Sequence, residues 1–434
     1  MMPVVGSISC VSPGAPASPS TPPPESRAAP DSRVAADSHA GPDSHLAKGG
    51  PRVESSEREC AVEAPVAFEQ LPTNPKLPDP FRAARGTRIT TKREWTCRRA
   101  EIRAQVQEYE LGPKPGRPAS VKGAIRGNEI TVTVSDAGKA ISFAASITLP
   151  SVGSPPYPAM IGLGRITIGP DQLRSLGVAT IILPNDVLAE QHDATSRGHG
   201  RFYDLYGADH PAGSMIAWAW GVSRLIDALE QTPAAAIDTT RLGVTGCSRN
   251  GKGALIAGAF DDRIALTIPQ ESGSGGTASW RVSDAQLAAG GHVQTLSEIT
   301  GENTWFRTSF SRFGRAATKL PYDHHAVEAL IAPRALLVIE NTSQEWLGNV
   351  STFTGSMAAH LVWEALGVPD RMGVSQTGDH THCAWNGSQQ PEVTAFVEKF
   401  LTLAGRGDTN VAKTDGPYSF DRSTWIDWTV PTLQ

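Results

Sequence analysis

Ser248 stands in the stretch GVTGCSRNGKGA, Gly243 to Ala254, between a cysteine and an arginine. The run before it, RLGVTGC, has the make-up of a buried strand, and the run after it, RNGKGALIAGAF, that of a helix. A serine on so sharp a strand-to-helix turn has its hydroxyl lifted clear of the sheet. The free N–H groups at the start of the next helix then face any oxyanion that develops beside it. This is the setting of a nucleophile. The spacing departs from Gly-x-Ser-x-Gly, because Asn250 stands two places after the serine and Gly251 three. Taken alone, the stretch is also compatible with a small residue in a turn that does no chemistry.

A serine nucleophile needs a base, and the base needs a carboxylate to orient it. The late stretch QTGDHTHCAWN offers His380 and His382. Cys247 precedes the serine and Cys383 follows His382, so a serine and histidine within hydrogen-bond reach would bring these cysteines into disulfide range. That arrangement selects His382 and predicts a Cys247–Cys383 bridge. Two carboxylates end predicted strands, Glu271 in IPQESGSGG and Glu340 in LLVIENT. Burying both charges side by side is unfavourable, so one is expected to orient His382 and the other to be peripheral. The glycines at 273, 275 and 276 lean slightly toward Glu271, since they mark closely packed backbone. A metal hydrolase built from His380, His382, Cys383 and the pair His324-His325 is a different chemistry, but this spacing matches no common zinc signature.

The elements that must position these residues are legible in outline. Thr91 to Leu111 carries apolar residues at helical spacing and stops at Gly112-Pro113, which predicts one amphipathic helix. EITVTVSD and AISFAASITLP alternate like antiparallel strands. After Pro155-Pro156, short apolar runs (YPAMIGLG, VATIILP, RLGVTGC, RIALTIP, RALLVIEN) alternate with helical segments such as MIAWAWGVSRLIDALEQ and MAAHLVWEALG. Strand and helix in strict alternation imply a mostly parallel sheet with helices on both faces. The expected architecture is a three-layer α/β domain, and the serine turn makes it an α/β-hydrolase fold.

Composition bounds the rest. Residues 1–59 are a Pro/Ser/Ala mixture without an aromatic residue, read as a disordered tail or linker, and residues 60–430 as a single catalytic domain. A net charge of −5 gives no basic excess for nucleic-acid binding, and no apolar run is long enough for a membrane span. The N-terminus has neither the basic start nor the apolar core of a signal peptide. Five cysteines allow at most two bridges, with Cys10 the expected leftover. Asn341, Asn349 and Asn386 each begin an Asn-x-Ser/Thr triplet, which matters only in a secretory pathway.

Several ordered blocks, GCSRNGKGA, PQESGSGG, GENTWF, YDHHAVEALIAPRALLVIENT and GDHTHC, together resemble the glucuronoyl esterases of carbohydrate esterase family 15, in particular the fungal type. KLPDPF and EWTCRRAEIRAQVQEYELGPKP resemble the N-terminal region of the same family, so the likeness covers roughly residues 60–430. It implies hydrolysis of the ester between 4-O-methyl-glucuronic acid on xylan and lignin alcohols, without metal or cofactor, by a secreted monomer. Carried over by position, it makes Ser248 the nucleophile, His382 the base and Glu271 the acid, with Arg249 at the oxyanion. Lys252, Gln294, Glu302 and Trp346 match positions that hold the sugar. Lys252, four residues after Ser248, would share its helix face. Cys60 and Cys97 would tie the start of the domain to its first helix. Ser279 stands where many fungal members have a cysteine of a third bridge. Other readings are an acetyl-xylan or other carbohydrate esterase, and a catalytically silent carbohydrate-binding protein on the same scaffold.

Overall fold

The computed structural model describes residues 54–57 and 60–434 except Arg406. Most of the stretch read as a tail, including Cys10, lies outside the described residues. Residues 54–57 are held against the domain: Glu54 pairs with Lys114 and Arg224, Ser56 donates to Asp262, and Glu57 pairs with Arg99 and Arg103.

The alternating segments form antiparallel strands, β1 (Ser120–Arg126), β2 (Glu129–Asp136) and β3 (Lys139–Thr148). Ile130, Val132 and Val134 of β2 lie opposite Ala145, Phe143 and Ile141 of β3, so one face is buried and the other wet. Then come β4 (Tyr157–Leu163), β5 (Ala179–Leu183), β6 (Ile237–Cys247), β7 (Ile264–Gln270), β8 (Ala335–Glu340), β9 (Met372–Gln376) and the short β10 (Ala412–Thr414). The sheet order is β1-β2-β3-β5-β4-β6-β7-β8-β9-β10, with β5 antiparallel to β3 and every pair beyond it parallel.

Side chains of the parallel strands divide between two cores. Ile161, Val244 and Val338 belong to the larger, while Met160, Ile268 and Ile339 belong to the smaller. Burial on both faces is why these strands read as unbroken apolar runs. The α-helices among the described residues are α1 (Lys92–Val106), the short α2 (Pro170–Ser175) and α3 (Arg201–Tyr206), α4 (Ser214–Glu230), α5 (Arg249–Phe260), α6 (Trp280–Ala288), α7 (Leu296–Glu302), α8 (His324–Ala329), α9 (Asn349–Ala365), α10 (Gln390–Val397) and the single turn α11 (Arg422–Trp425). Helices α4, α5 and α9 pack into the larger core, and Val393, Phe396 and Val397 of α10 into the smaller. The result is helix, sheet, helix: the α/β-hydrolase plan.

α1 begins at a capping box. Thr91 Oγ1 accepts from Glu94 N–H at 3.1 Å, and the Glu94 carboxylate accepts from Thr91 N–H at 3.0 Å. The helix widens into a π turn at Gln107–Leu111 and stops at Gly112. There φ is +81° and an added Cβ would meet Pro211 O at 2.5 Å, so only glycine fits.

Candidate active site

Four strands deliver their last residues to one edge of the sheet. Ser248 follows β6, Glu271 follows β7, Glu340 ends β8, and His382 lies on the loop after β9. This carboxyl edge is where open α/β sheets place their ligand crevice.

The Ser248 turn is tight for reasons visible in its neighbours. Ser248 has φ +61°, and its N–H donates to Gln270 O at 3.0 Å, fastening the turn to β7. A Cβ on Gly246 would sit 2.4 Å from Asn250 O, and one on Gly251 would sit 2.6 Å from Gln270 O. The glycine absent from Gly-x-Ser-x-Gly is replaced by Asn250, whose side-chain oxygen accepts from Asn185 at 3.0 Å and Gln191 at 3.4 Å. Across from it, a Cβ on Gly164 would fall 2.6 Å from Asn250 Nδ2. The departure from the motif thus ties the turn to the segment after β5.

His382 Nδ1 lies 2.8 Å from Glu271 Oε2. His380 is 3.8 Å from the other oxygen and instead meets the Asn341 amide at 3.1 Å. The structure therefore brings His382, not His380, onto the carboxylate. Glu271 also accepts the Cys383 N–H at 2.8 Å and the Gln270 amide at 3.1 Å. Its burial pushes the carboxyl upward, but hydrogen bonds from His382 and Cys383 outweigh that and hold it below the ordinary range. The other imidazole nitrogen, His382 Nε2, is buried and has no hydrogen-bond partner among the described residues. Cys247 and Cys383 are disulfide-bonded with Cα atoms 5.8 Å apart, strapping the residue before Ser248 to the residue after His382. Cys60 and Cys97 form the second bridge.

The second carboxylate, expected to be peripheral, is instead completely buried: Glu340 has a different task. Its Oε1 accepts from Ser272 N–H at 2.9 Å, Gly273 N–H at 3.2 Å and the Thr277 hydroxyl at 3.0 Å, so it props the loop that leaves Glu271. Burial pushes its carboxyl up to about 7, with Glu271 adding to the rise and those hydrogen bonds opposing it. Of the seven non-glycine residues with positive φ among the described residues, Ser248, Glu271, Asp379 and Cys383 all lie at this site. Strained backbone is concentrated where the chemistry would be.

Arg249 and Lys252 share one aromatic wall. The guanidinium lies 5.3 Å from the centre of the Trp305 ring and the Lys252 ammonium 5.5 Å. Lys252 is buried and donates to Ser272 O at 2.5 Å; burial pulls it down to about 8 against the attraction of Glu302 and Glu340. The Gln294 amide donates to Glu302 at 2.6 Å, and Gln294 N–H donates to Trp346 O at 3.1 Å. Trp346 is 39% exposed, an open indole whose ring meets His382 edge-on at 4.9 Å between centres. Sequence reasoning missed Gln191 and Trp305. The Gln191 carbonyl accepts from Arg249 at 3.4 Å and from Asn303 at 2.8 Å, and its side chain accepts from Trp305 at 3.0 Å. Nothing local marks Gln191; Trp305 sits in GENTWF, next to the more obvious Glu302.

The residues of a metal reading are engaged elsewhere. His324 bonds Glu110 and Gly276 O, and His325 bonds Pro78 O, both histidines being completely buried. Cys247, Glu271 and Cys383 lie close enough to share an ion, but both sulfurs are in the disulfide and offer no thiolate.

Residues 132–367 match the family model for fungal glucuronyl esterase. This chain belongs to the fungal glucuronyl esterase family. It is 53% identical over 363 residues to the 4-O-methyl-glucuronoyl methylesterase of Hypocrea jecorina, covering 84% of this chain and 77% of that one. Its fold is similar to the glucuronoyl esterase catalytic domain of that organism, with TM-score 0.82 and 51% identity over 86% of this chain and all 100% of the other. A serine-to-alanine mutant of the Sporotrichum thermophile glucuronoyl esterase is similar at TM-score 0.81 and 48% identity, over 86% of this chain and 100% of that one. That structure holds methyl 4-O-methyl-beta-D-glucopyranuronate.

Proposed function

We propose that this glucuronyl esterase family member is a serine esterase that hydrolyses the ester joining 4-O-methyl-glucuronic acid of glucuronoxylan to a lignin alcohol, and the corresponding methyl ester. The observation that carries the reading is the His382–Glu271 contact of 2.8 Å, strapped beside Ser248 by the Cys247–Cys383 bridge. The sugar half of the substrate follows from the relative that binds a glucuronate methyl ester.

His382 Nε2 takes the Ser248 proton as Oγ attacks the ester carbonyl carbon. Ionised Glu271 keeps the other ring proton on Nδ1 and stabilises the imidazolium. Arg249 and the N–H groups at the start of α5 stabilise the tetrahedral oxyanion. As it collapses, the C–O bond to the alcohol breaks and His382 gives that alcohol its proton. Water, deprotonated by His382, then attacks the acyl-serine; the C–Oγ bond breaks, Ser248 recovers a proton and the uronic acid leaves. Lys252, Gln294 and Glu302 would bond sugar hydroxyls, and Trp346 would lie against the pyranose.

All these residues come from one chain, which suits a monomer, and two disulfides suit an oxidising compartment outside the cell.

The test is hydrolysis of a glucuronate methyl ester by the wild type and by Ser248→Ala. A loss of about 10⁴-fold or more is expected. Comparable rates would remove the serine mechanism, and faster turnover of acetylated xylan than of the glucuronate ester would move the substrate to acetyl esters.

A further inference from the structure

The chain holds three Asn-x-Ser/Thr triplets, and the fold separates them. N-linked glycosylation needs an asparagine Nδ2 that a transferase can reach. Asn341 is completely buried, and its amide is spent on His380 and, at 3.4 Å, on Glu271. Asn349 opens α9, is also buried, and donates to Thr342 O at 3.1 Å while its own carbonyl accepts from Gln376. Asn386 alone is exposed. It sits on a turn made by Gly387 at φ +80°, where an added Cβ would meet nothing within 4 Å. Its Oδ1 accepts from both the N–H and the hydroxyl of Ser388, at 3.0 and 2.8 Å. The hydroxyl the triplet requires is therefore already bonded to the acceptor side chain. Nδ2 has one long contact, to Gly378 O at 3.4 Å.

We infer that Asn386 is the N-glycan acceptor of this protein and that Asn341 and Asn349 are not. The step is oligosaccharide transfer from a lipid-linked pyrophosphate donor. The bond from the anomeric carbon to the pyrophosphate oxygen breaks, a bond from that carbon to Asn386 Nδ2 forms, and the displaced amide proton leaves with the lipid pyrophosphate. One N–H remains on Nδ2, so the Gly378 contact survives. The glycan would project from the loop that carries His382, four residues away in the chain.

The test uses the full chain made behind a secretory leader in a eukaryotic host, so it does not depend on the chain's own route of export. Wild type, Asn386→Gln, Ser388→Ala and Ser388→Thr are compared before and after enzymatic release of N-glycans, which converts an occupied asparagine to aspartate. Peptide mass mapping is expected to find aspartate at 386 and intact asparagine at 341 and 349. The mobility shift on release is expected in wild type and Ser388→Thr and absent in the other two. All four are expected to hydrolyse the glucuronate methyl ester within about twofold of one another, as surface changes should. An unmodified Asn386 in the secreted wild type, a shift that persists in Asn386→Gln, or a glycan on Asn341 or Asn349 would overturn the assignment.

Discussion

At the scale of single residues, Glu271 just after β7 and Glu340 at the end of neighbouring β8 differ in what touches them. One Glu271 oxygen serves both the His382 ring and the Cys383 N–H, and the other takes the Gln270 amide. Glu271→Gln must turn an NH₂ toward one of these donors and, in the mechanism proposed, would remove the charge that stabilises the imidazolium. A fall in kcat of roughly 10³- to 10⁴-fold is expected, read on the methyl ester with KM little changed. At Glu340 the only bonded oxygen accepts from Ser272, Gly273 and Thr277, and an amide oxygen can do the same. Glu340→Gln is therefore expected to keep activity at pH 5 within about threefold, since an acceptor is conserved. Its pH signature is separate. The folded state raises this carboxyl from 4.5 to about 7, so its contribution is fully present below pH 4.5 and is lost as pH rises through about 7. Melting curves should show Glu340→Gln gaining on the wild type across that window. A constant difference would mean the carboxyl is already ionised.

At the scale of elements, the loop after β7 connects to α6 and packs against α9. A Cβ built on Gly355 of α9 lies 3.5 Å from Ser279 Cβ, at the residue just before α6. That separation suits a disulfide. The double variant Ser279→Cys, Gly355→Cys is expected to oxidise spontaneously and to stabilise the domain by ~2–4 kcal/mol, with esterase rate unchanged. Thermal unfolding with and without reductant checks it, and a lower Tm in the oxidised form would show that the helices must shift to close the bond. The same element scale explains what local pattern misjudged about residues 54–57. Four residues without a hydrophobic side chain look like tail, yet two glutamates give them purchase on buried cations.

At the scale of the molecule, that N-terminal segment belongs to a cluster of ion pairs that joins residues far apart in the chain. Glu54 joins Lys114 and, at 2.5 Å, Arg224; Glu57 lies 3.0 Å from Arg103; and Arg103 and Arg99 both reach Asp262, at 2.8 and 2.5 Å. Burial pushes the Glu54 carboxyl up, but Lys114 and Arg224 outweigh it and bring it to about 2. A depressed carboxyl contributes stability above pH 4.5 and loses it as pH falls toward 2. Over that span the contribution is on the order of 3 kcal/mol. Glu54→Gln is expected to cost about that much near neutral pH, and the gap should close in acid; denaturant unfolding at two pH values reads it. A variant equal to the wild type at neutral pH would show the clasp is redundant.

Chain pattern alone was enough for the α/β order, the strand-to-helix turn at Ser248 and the Cys247–Cys383 pairing. Each is written in local periodicity or in residues adjacent along the chain. The division of labour between Glu271 and Glu340 was not, because both are glutamates at strand ends and only β7 and β8 lying side by side decides which one meets the loop after β9. Gln191 behind Arg249, Trp305 beneath two cations and the burial of Asn341 and Asn349 were likewise decided only in three dimensions. The reason is common to all of them. A residue's chemistry is set by its type, but its burial and partners come from segments a hundred or more residues away, which local pattern does not record.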